Sequence, residues 1–227
     1  ATEHEDKGTE TDANQDAQLY YHRLGTPQAE DILVVDSDPV TRSSMWHCDV
    51  TDDGQWLILA NSKDTDNKMR YYAASLADGV SSRMAWIPIS SDFAFMLDYI
   101  ANDNTRFYML SNKDAPNYRI VSFELDPTKA RVVDHVSQLT GGISSFTDIV
   151  PEDPQAILTT AAVLDHNKLL SVYSRDVKDE LWVFDLTTGA RITRLLPELV
   201  GTIAQLTGRR DHRESFVSSV SFANPGR

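Results

Sequence analysis

The sequence contains almost no cysteine and no long apolar run. Cys48 is the only cysteine among 227 residues, which rules out a disulfide within the chain and favours a reducing compartment. No stretch of about 18 apolar residues occurs, so we expect no membrane-spanning helix. The first ten residues, ATEHEDKGTE, have neither the basic segment nor the apolar core of a secretory signal peptide. These absences predict a cytoplasmic protein.

Basic residues are also in short supply. The chain has 21 Lys and Arg against 34 Asp and Glu, a formal net charge of −13. Nucleic acids and anionic membrane surfaces are bound through clustered Lys and Arg, so we expect neither as a partner. Hydrophobic residues make up 41% of the chain and charged residues 24%, which is typical of a folded globular protein.

Motifs for independent chemistry are missing. No G-x-S-x-G pentapeptide is present, so the sequence has no candidate nucleophile on a strand-to-helix turn. The six histidines do not form H-E-x-x-H or H-x-x-E-H spacing, and residues 64–67 lack the glycine and distal glutamate of a calcium loop. We therefore expect no metal and no cofactor. For Cys48 we expect a buried, unreactive side chain.

Short apolar runs bounded by turn residues predict β-strands throughout the chain. Helical periodicity is scarce, and the one alternative helix, at residues 154–164, has no good caps. We therefore predict an all-β protein. The runs lie at residues 55–60, 70–76, 106–111, 118–125, 130–136, 168–174, 181–186 and 215–222.

The strands recur as repeating units. Aromatic-rich strands begin near Leu19, Arg70, Tyr118 and Leu181. Their spacing of roughly 50 to 60 residues is close to that of a four-stranded propeller blade. A single blade cannot bury both of its faces, so neighbouring blades must stack on it. The repeat therefore favours a β-propeller, with a β-sandwich as the alternative.

Six segments carry a resemblance to a known family. In chain order they are GTETDANQDAQLYYHRLGTPQAEDIL, DVTDDGQWLIL, APNYRIVSFEL, RDVKDELWVFDLTTGA, LPELVGTI and SFANPG, which together extend from Gly8 to Gly226. They resemble, in the same order and at nearly the same spacing, the propeller domain of the prolyl oligopeptidases, a family of serine peptidases. The resemblance covers almost the whole chain.

The resemblance implies that catalysis and the lining of the substrate cavity belong to different domains. Members of this family carry a seven-bladed propeller over an α/β-hydrolase domain, which holds the Ser, Asp and His of the triad and cleaves short peptides after proline. This chain is then expected to contain the last strands of one blade, three complete four-stranded blades and the start of another. With the hydrolase domain absent from residues 1–227, we expect the chain alone to be inactive and to line the substrate cavity.

Three positions correspond to substrate-contacting residues of the family. Met45 matches a family methionine that borders the proline pocket. Ser62 stands where mammalian members have an arginine that contacts the peptide, and Thr65 stands where they have a cysteine. The implied partners are short proline-containing peptides and the hydrolase domain of the same protein, which is expected to be monomeric.

Residues 1–18 correspond to a mobile polar loop at the family's domain interface, with blades following from residue 19 to residue 227. The part from residue 8 to residue 18 has no apolar side chain larger than alanine, so it cannot anchor itself in a core. We expect it to gate substrate access. The candidate gating residues are Gly8, Thr9, Glu10, Thr11, Asp12 and Asn14.

Two other function classes are alternatives. One is a stand-alone propeller that binds protein partners, although the G-H and W-D signature of such repeats is missing. The other is a propeller hydrolase with its own catalytic carboxylates on the inner strands.

Overall fold

The structure is a computed structural model that describes residues 15–63 and 65–222. These residues form seventeen β-strands and three one-turn 3-10 helices, at Gln28–Glu30, Pro127–Lys129 and Val136–Gln138. The all-β prediction is confirmed, and the segment considered as an alternative helix holds the strand Ile157–Leu164. Within the described residues, no helix has the length and apolar character needed to cross a membrane.

The strands form five antiparallel sheets, which we call sheets I to V in chain order. Sheets II, III and IV each have four main strands, whereas sheets I and V have two strands. Sheet I contains β1 (Leu19–Tyr21) and β2 (Ile32–Val35). Sheet II contains β3 (Ser44–Val50), β4 (Trp56–Lys63), β5 (Met69–Ser75) and β6 (Ala85–Phe95), with β10 (Arg131–Val132) added at its edge. Sheet III contains β7 (Leu97–Asp103), β8 (Arg106–Ser111), β9 (Arg119–Glu124) and β11 (Thr147–Val150). Sheet IV contains β12 (Ile157–Leu164), β13 (Lys168–Arg175), β14 (Lys178–Asp185) and β15 (Arg191–Leu195), and sheet V contains β16 (Thr202–Thr207) and β17 (Phe216–Val220).

Each middle sheet buries both of its faces against different neighbours. In β5, Tyr71 packs in the cluster between sheets II and III, whereas Tyr72 packs in the cluster between sheets I and II. In β8, Phe107 faces sheet II and Tyr108 faces sheet IV. Successive side chains of a strand point to opposite faces, so these apolar pairs require a neighbouring sheet on each side. This stacking is that of propeller blades and excludes a two-layer β-sandwich.

The connection between β9 and β11 lies across the two preceding sheets. After β9 it adds β10 to the edge of β6, places Val136 and Leu139 in the core between sheets I and II, and then pairs Gly142 with Ser90. The prediction of a full strand at residues 130–136 is therefore wrong. Only Arg131–Val132 is extended in a sheet, because the rest of the segment turns inward to bury its apolar residues.

Polar contacts join sheets II to V where the first strand of each one ends or just beyond that point. Asn102 of sheet III donates a hydrogen bond from Nδ2 to Asp53 of sheet II at 2.7 Å. Arg210 of sheet V forms an ion pair with Asp103 at 2.6 Å and donates to the backbone carbonyls of Asn102 and His166. The basic segment at residues 209–213 thus contributes to the contact between sheets V, IV and III.

Substitution of Gly189 tests how closely neighbouring sheets approach. Gly189 and Gly79 both have a left-handed φ, of +68° and +76°. A Cβ on Gly189 would lie 1.8 Å from the carbonyl oxygen of Ile149 in sheet III, whereas one on Gly79 would meet nothing within 4 Å. Gly79→Ala is therefore expected to cost about 1–2 kcal/mol of unfolding free energy from its backbone conformation alone. Gly189→Ala is expected to cost about 1–3 kcal/mol more.

The measurement is the free energy of unfolding of both variants in urea. An equal loss in the two variants would contradict the close approach of sheets III and IV.

Candidate functional site

The candidate site lies where β3 begins and β4 ends. Met45 and Ser62 are directly opposite each other in the antiparallel register of these strands, so their side chains share the face that points toward sheet III. The Met45 side chain is 42% exposed, whereas Ser62 is only 4% exposed. Thr65 is exposed in the turn between β4 and β5, two residues beyond the end of β4. The three residues named from the sequence therefore lie at one end of sheet II.

His47 belongs to the same surface, although no sequence pattern singled it out. Its Nε2 lies 3.0 Å from the Oγ of Ser62, a hydrogen bond between neighbouring strands. The pair has the atoms of a nucleophile and a base, but Ser62 sits within a strand and is almost fully buried. In the described part of the chain no carboxylate contacts the other ring nitrogen of His47, so the pair lacks the group that orients a catalytic base. The pair is a polar contact between β3 and β4 beside Met45.

A buried polar network lies on the opposite face of the same strands. Arg70 of β5 forms an ion pair with Asp38, and it donates to Oδ1 of Asn61 from Nη2 at 2.6 Å and from Nε at 3.2 Å. Asn61 in turn donates from Nδ2 to the Oγ of Ser44 at 2.9 Å and to the carbonyl oxygen of Met45 at 3.3 Å. The network thus ends on the backbone of the candidate pocket residue.

Asp38 is held in the ionised state. Its side chain is 0% exposed, and burial by itself raises its pKa. The backbone amides of Thr41 and Val40, at 2.8 and 2.9 Å, and then Arg70 outweigh that effect, so the pKa of Asp38 lies below its ordinary value. The carboxylate therefore ties the segment before β3 to the middle of sheet II.

Asp49, on the first strand of sheet II, affects the pKa of Asp98, on the first strand of sheet III. Desolvation by the surrounding protein, followed by the nearby carboxylate of Asp49, raises the pKa of Asp98.

Cys48, beside Asp49, is exposed, so the expectation of a buried cysteine is wrong. Partial burial, followed by the charge of Asp49, raises the pKa of its thiol, which favours the protonated form.

The candidate gating residues Gly8, Thr9, Glu10, Thr11, Asp12 and Asn14 lie outside the described residues. The described residues that follow them are attached to the segment between β2 and β3. Asp16 pairs with the Nε of Arg42 at 2.8 Å, and Gln18 donates to Asp36 at 2.7 Å. These contacts connect the polar segment to the residues that lead into β3.

The side-by-side sheets, each meandering from its first to its last strand, define the protein as a β-propeller. A family model described as "Prolyl oligopeptidase, N-terminal beta-propeller domain" matches residues 1–227. The chain therefore belongs to the propeller family of the prolyl oligopeptidases, which confirms the resemblance stated from the sequence.

Curated relatives agree with this assignment. The chain is similar to prolyl oligopeptidase A of Amanita bisporigera, with 33% identity over 220 residues that cover 96% of this chain and 27% of the relative. It is also similar to the dual function macrocyclase-peptidase POPB of Galerina marginata, with 29% identity over 221 residues that cover 97% of this chain and 28% of the relative. The chain thus spans just over a quarter of the length of these relatives.

Solved structures show the same fold. The chain aligns over its full length with 29% of prolyl oligopeptidase B from Galerina marginata bound to a 25mer macrocyclization substrate, with a TM-score of 0.84 and 28% identity. The apo form of that protein aligns over 95% of this chain and 28% of its own, with a TM-score of 0.82 and 27% identity.

The raised pKa of Asp98 predicts a pH-dependent effect on stability. A carboxyl whose pKa is raised by folding reduces stability as the pH rises from its ordinary pKa to its raised native pKa, because the unfolded state ionises first, and the loss is complete above the raised value. Asp98→Asn is therefore expected to raise the Tm at neutral pH. The gain should shrink as the pH falls toward 3.8, the ordinary value for Asp, where Asp98 becomes protonated in both states.

Thermal unfolding of both proteins across this pH range measures the effect. Asp78→Asn, in the exposed turn after β5, is the control and should leave the Tm nearly unchanged. A gain for Asp98→Asn that persists undiminished at low pH would contradict the assigned cause.

Proposed function

We propose that this chain is the propeller part of a longer serine endopeptidase that hydrolyses short peptides on the carboxyl side of proline. The nucleophile, base and orienting carboxylate belong to an α/β-hydrolase domain of the same protein. The observation that carries the proposal is the match of the family model to all 227 residues. We further propose that the longer protein is cytoplasmic, monomeric and free of cofactors, with a propeller of seven blades.

The role proposed for Met45 follows from its exposure and chemistry. An exposed thioether side chain at the end of an inner strand offers a polarizable apolar surface suited to a pyrrolidine ring. This position corresponds to the family methionine that borders the proline pocket.

Ser62 and Thr65 should alter how the peptide is anchored. An arginine presents five donors in a rigid fork, whereas a serine hydroxyl presents one. Ser62 already bonds His47, so its capacity to hold a peptide is smaller still. We infer that the peptide backbone is anchored more weakly here than in members that have the arginine, with His47 and Thr65 as the remaining polar groups of this wall.

Residues 1–18 are proposed to control access to the cavity. The composition of residues 8–18 supports this role, because such a segment cannot pack into a core. Its attachment near β3 through Asp16 and Gln18 places its end close to the segment that leads to the proposed pocket wall.

The experiment compares the full-length protein with the isolated 227 residues, using a fluorogenic peptide that contains Gly-Pro. The full-length protein should cleave it and should leave a matched Gly-Ala peptide uncut. The isolated chain should cleave neither. Failure of the full-length protein to cleave after proline, or cleavage by the isolated chain, would overturn the proposal.

Truncation of Met45 tests its contact with substrate. Met45→Ala in the full-length protein removes apolar contact worth about 1–2 kcal/mol, so KM for the proline peptide should rise about 5- to 30-fold with little change in kcat. Val50→Ala, which shortens another exposed apolar side chain of β3, is the control and should leave KM unchanged. Equal KM values for the Met45 variant and the unmodified protein would count against the contact.

A further inference from the structure

We propose that Arg70 is a positioning residue for the pocket wall, acting through Asn61 on the backbone of Met45. This inference deepens the proposed function and rests on it. Neither Arg70 nor Asn61 is expected to touch substrate, because Asn61 is 0% exposed and the Arg70 side chain is 9% exposed. Their side chains also lie on the face of sheet II turned toward sheet I, opposite to the side chains of Met45 and Ser62.

The first step concerns the segment before β3. Asp38 accepts hydrogen bonds from the amides of Val40 and Thr41 through Oδ1, and the carbonyl of Thr41 accepts from the amide of Ser44 at 3.0 Å. The other oxygen of Asp38 is bound by Arg70. The carboxylate of Asp38 therefore fixes both the turn that precedes β3 and the guanidinium group of Arg70.

The second step concerns the orientation of Asn61. A side-chain amide can present either its oxygen or its nitrogen to a given neighbour. Because two nitrogens of Arg70 donate to Oδ1 of Asn61, the NH2 group must point the other way, toward β3. There it binds both the hydroxyl of Ser44 and the carbonyl of Met45. Arg70 thus selects the amide orientation that holds the start of β3.

The third step concerns why β3 needs this hold. β3 is the edge strand of sheet II, paired with β4 on one side only. The Met45 side chain is substantially exposed, so core packing does not fix its place, and its position follows that of the backbone. Small displacements of groups that orient a substrate reduce binding and turnover even when the responsible change is remote.

The guanidinium group of Arg70 also lies over the ring of Phe93 on β6, 4.4 Å from the ring centroid. Arg70 is therefore in contact with β4, β6 and the segment before β3 at once. A lysine at this position keeps a positive charge for Asp38 but cannot supply the planar pair of N–H donors to Asn61. This difference separates the charge of Arg70 from its orienting effect.

The test uses Arg70→Lys and Asn61→Leu in the full-length protein. The second variant leaves the Arg70–Asp38 pair in place and removes the hydrogen bonds of Asn61 to Arg70, to Ser44 and to the carbonyl of Met45. Both variants should raise KM for the proline peptide about tenfold and change kcat much less. Labelling of the catalytic serine by a small fluorophosphonate, which does not reach the propeller wall, should proceed at the unmodified rate.

Arg119→Lys is the matched control. Arg119 is a half-buried arginine of sheet III that pairs with Asp148 at 2.8 Å and has no contact with the Arg70 network. It should lower the Tm without changing KM. A methyl NMR spectrum of methionine-labelled protein gives a readout independent of cleavage, in which the Met45 signal should shift in Arg70→Lys and Asn61→Leu and stay in place in Arg119→Lys.

Unchanged KM in both Arg70→Lys and Asn61→Leu, with only a lower Tm, would overturn the inference and leave the network a purely stabilising one. An equal KM increase in Arg119→Lys would overturn it as well. If the unmodified full-length protein does not cleave after proline, the proposed function itself fails and the inference fails with it.

Discussion

The architecture depends on one constraint, which is that each middle sheet has two apolar faces to bury. Tyr71 and Tyr72, adjacent in β5, pack into two separate cores, and a sheet with that pattern is stable only between two neighbours. The sheets must therefore stack in series. The first strands at the inner edges, which pair on one side only, are then left to present side chains such as Met45, His47 and Asp49.

Polar contacts add to the apolar packing in holding neighbouring sheets together. The turns at one end of the stack are joined by Asn102 and Arg210, and the long connection before β11 reaches back over sheets II and I. At the opposite ends of the strands, where β3 begins, the network of Asp38, Arg70 and Asn61 joins the segment before β3 to the interior of sheet II. A buried arginine that is bonded to both Asp38 and Asn61 at this place gives the exposed end of an edge strand a defined position, which the apolar core alone does not provide.

Much of the fold could be predicted from the sequence because strand periodicity and turn residues are local signals. The runs at residues 55–60 and 168–174 became β4 and β13. The partner of β10 could not be predicted, since it lies some 45 residues earlier in β6 and pairs over only two residues. The exposure of Cys48 depends on its place in an edge strand, which apolar periodicity does not reveal. Of the site, Met45, Ser62 and Thr65 were named through family resemblance, whereas Asn61 and Arg70 were missed because their contacts with Asp38 and Met45 join segments far apart in the chain.

We propose that the start of β3 forms part of a peptide cavity in a larger peptidase. The most direct measurement is an experimental structure of the full-length protein with a proline-containing peptide aldehyde bound covalently to its catalytic serine. We expect the Met45 side chain to be in van der Waals contact with the ligand and Asn61 still to donate to the carbonyl of Met45. A bound ligand that contacts only the hydrolase domain, with no atom of β3 or β4 beside it, would contradict the claim.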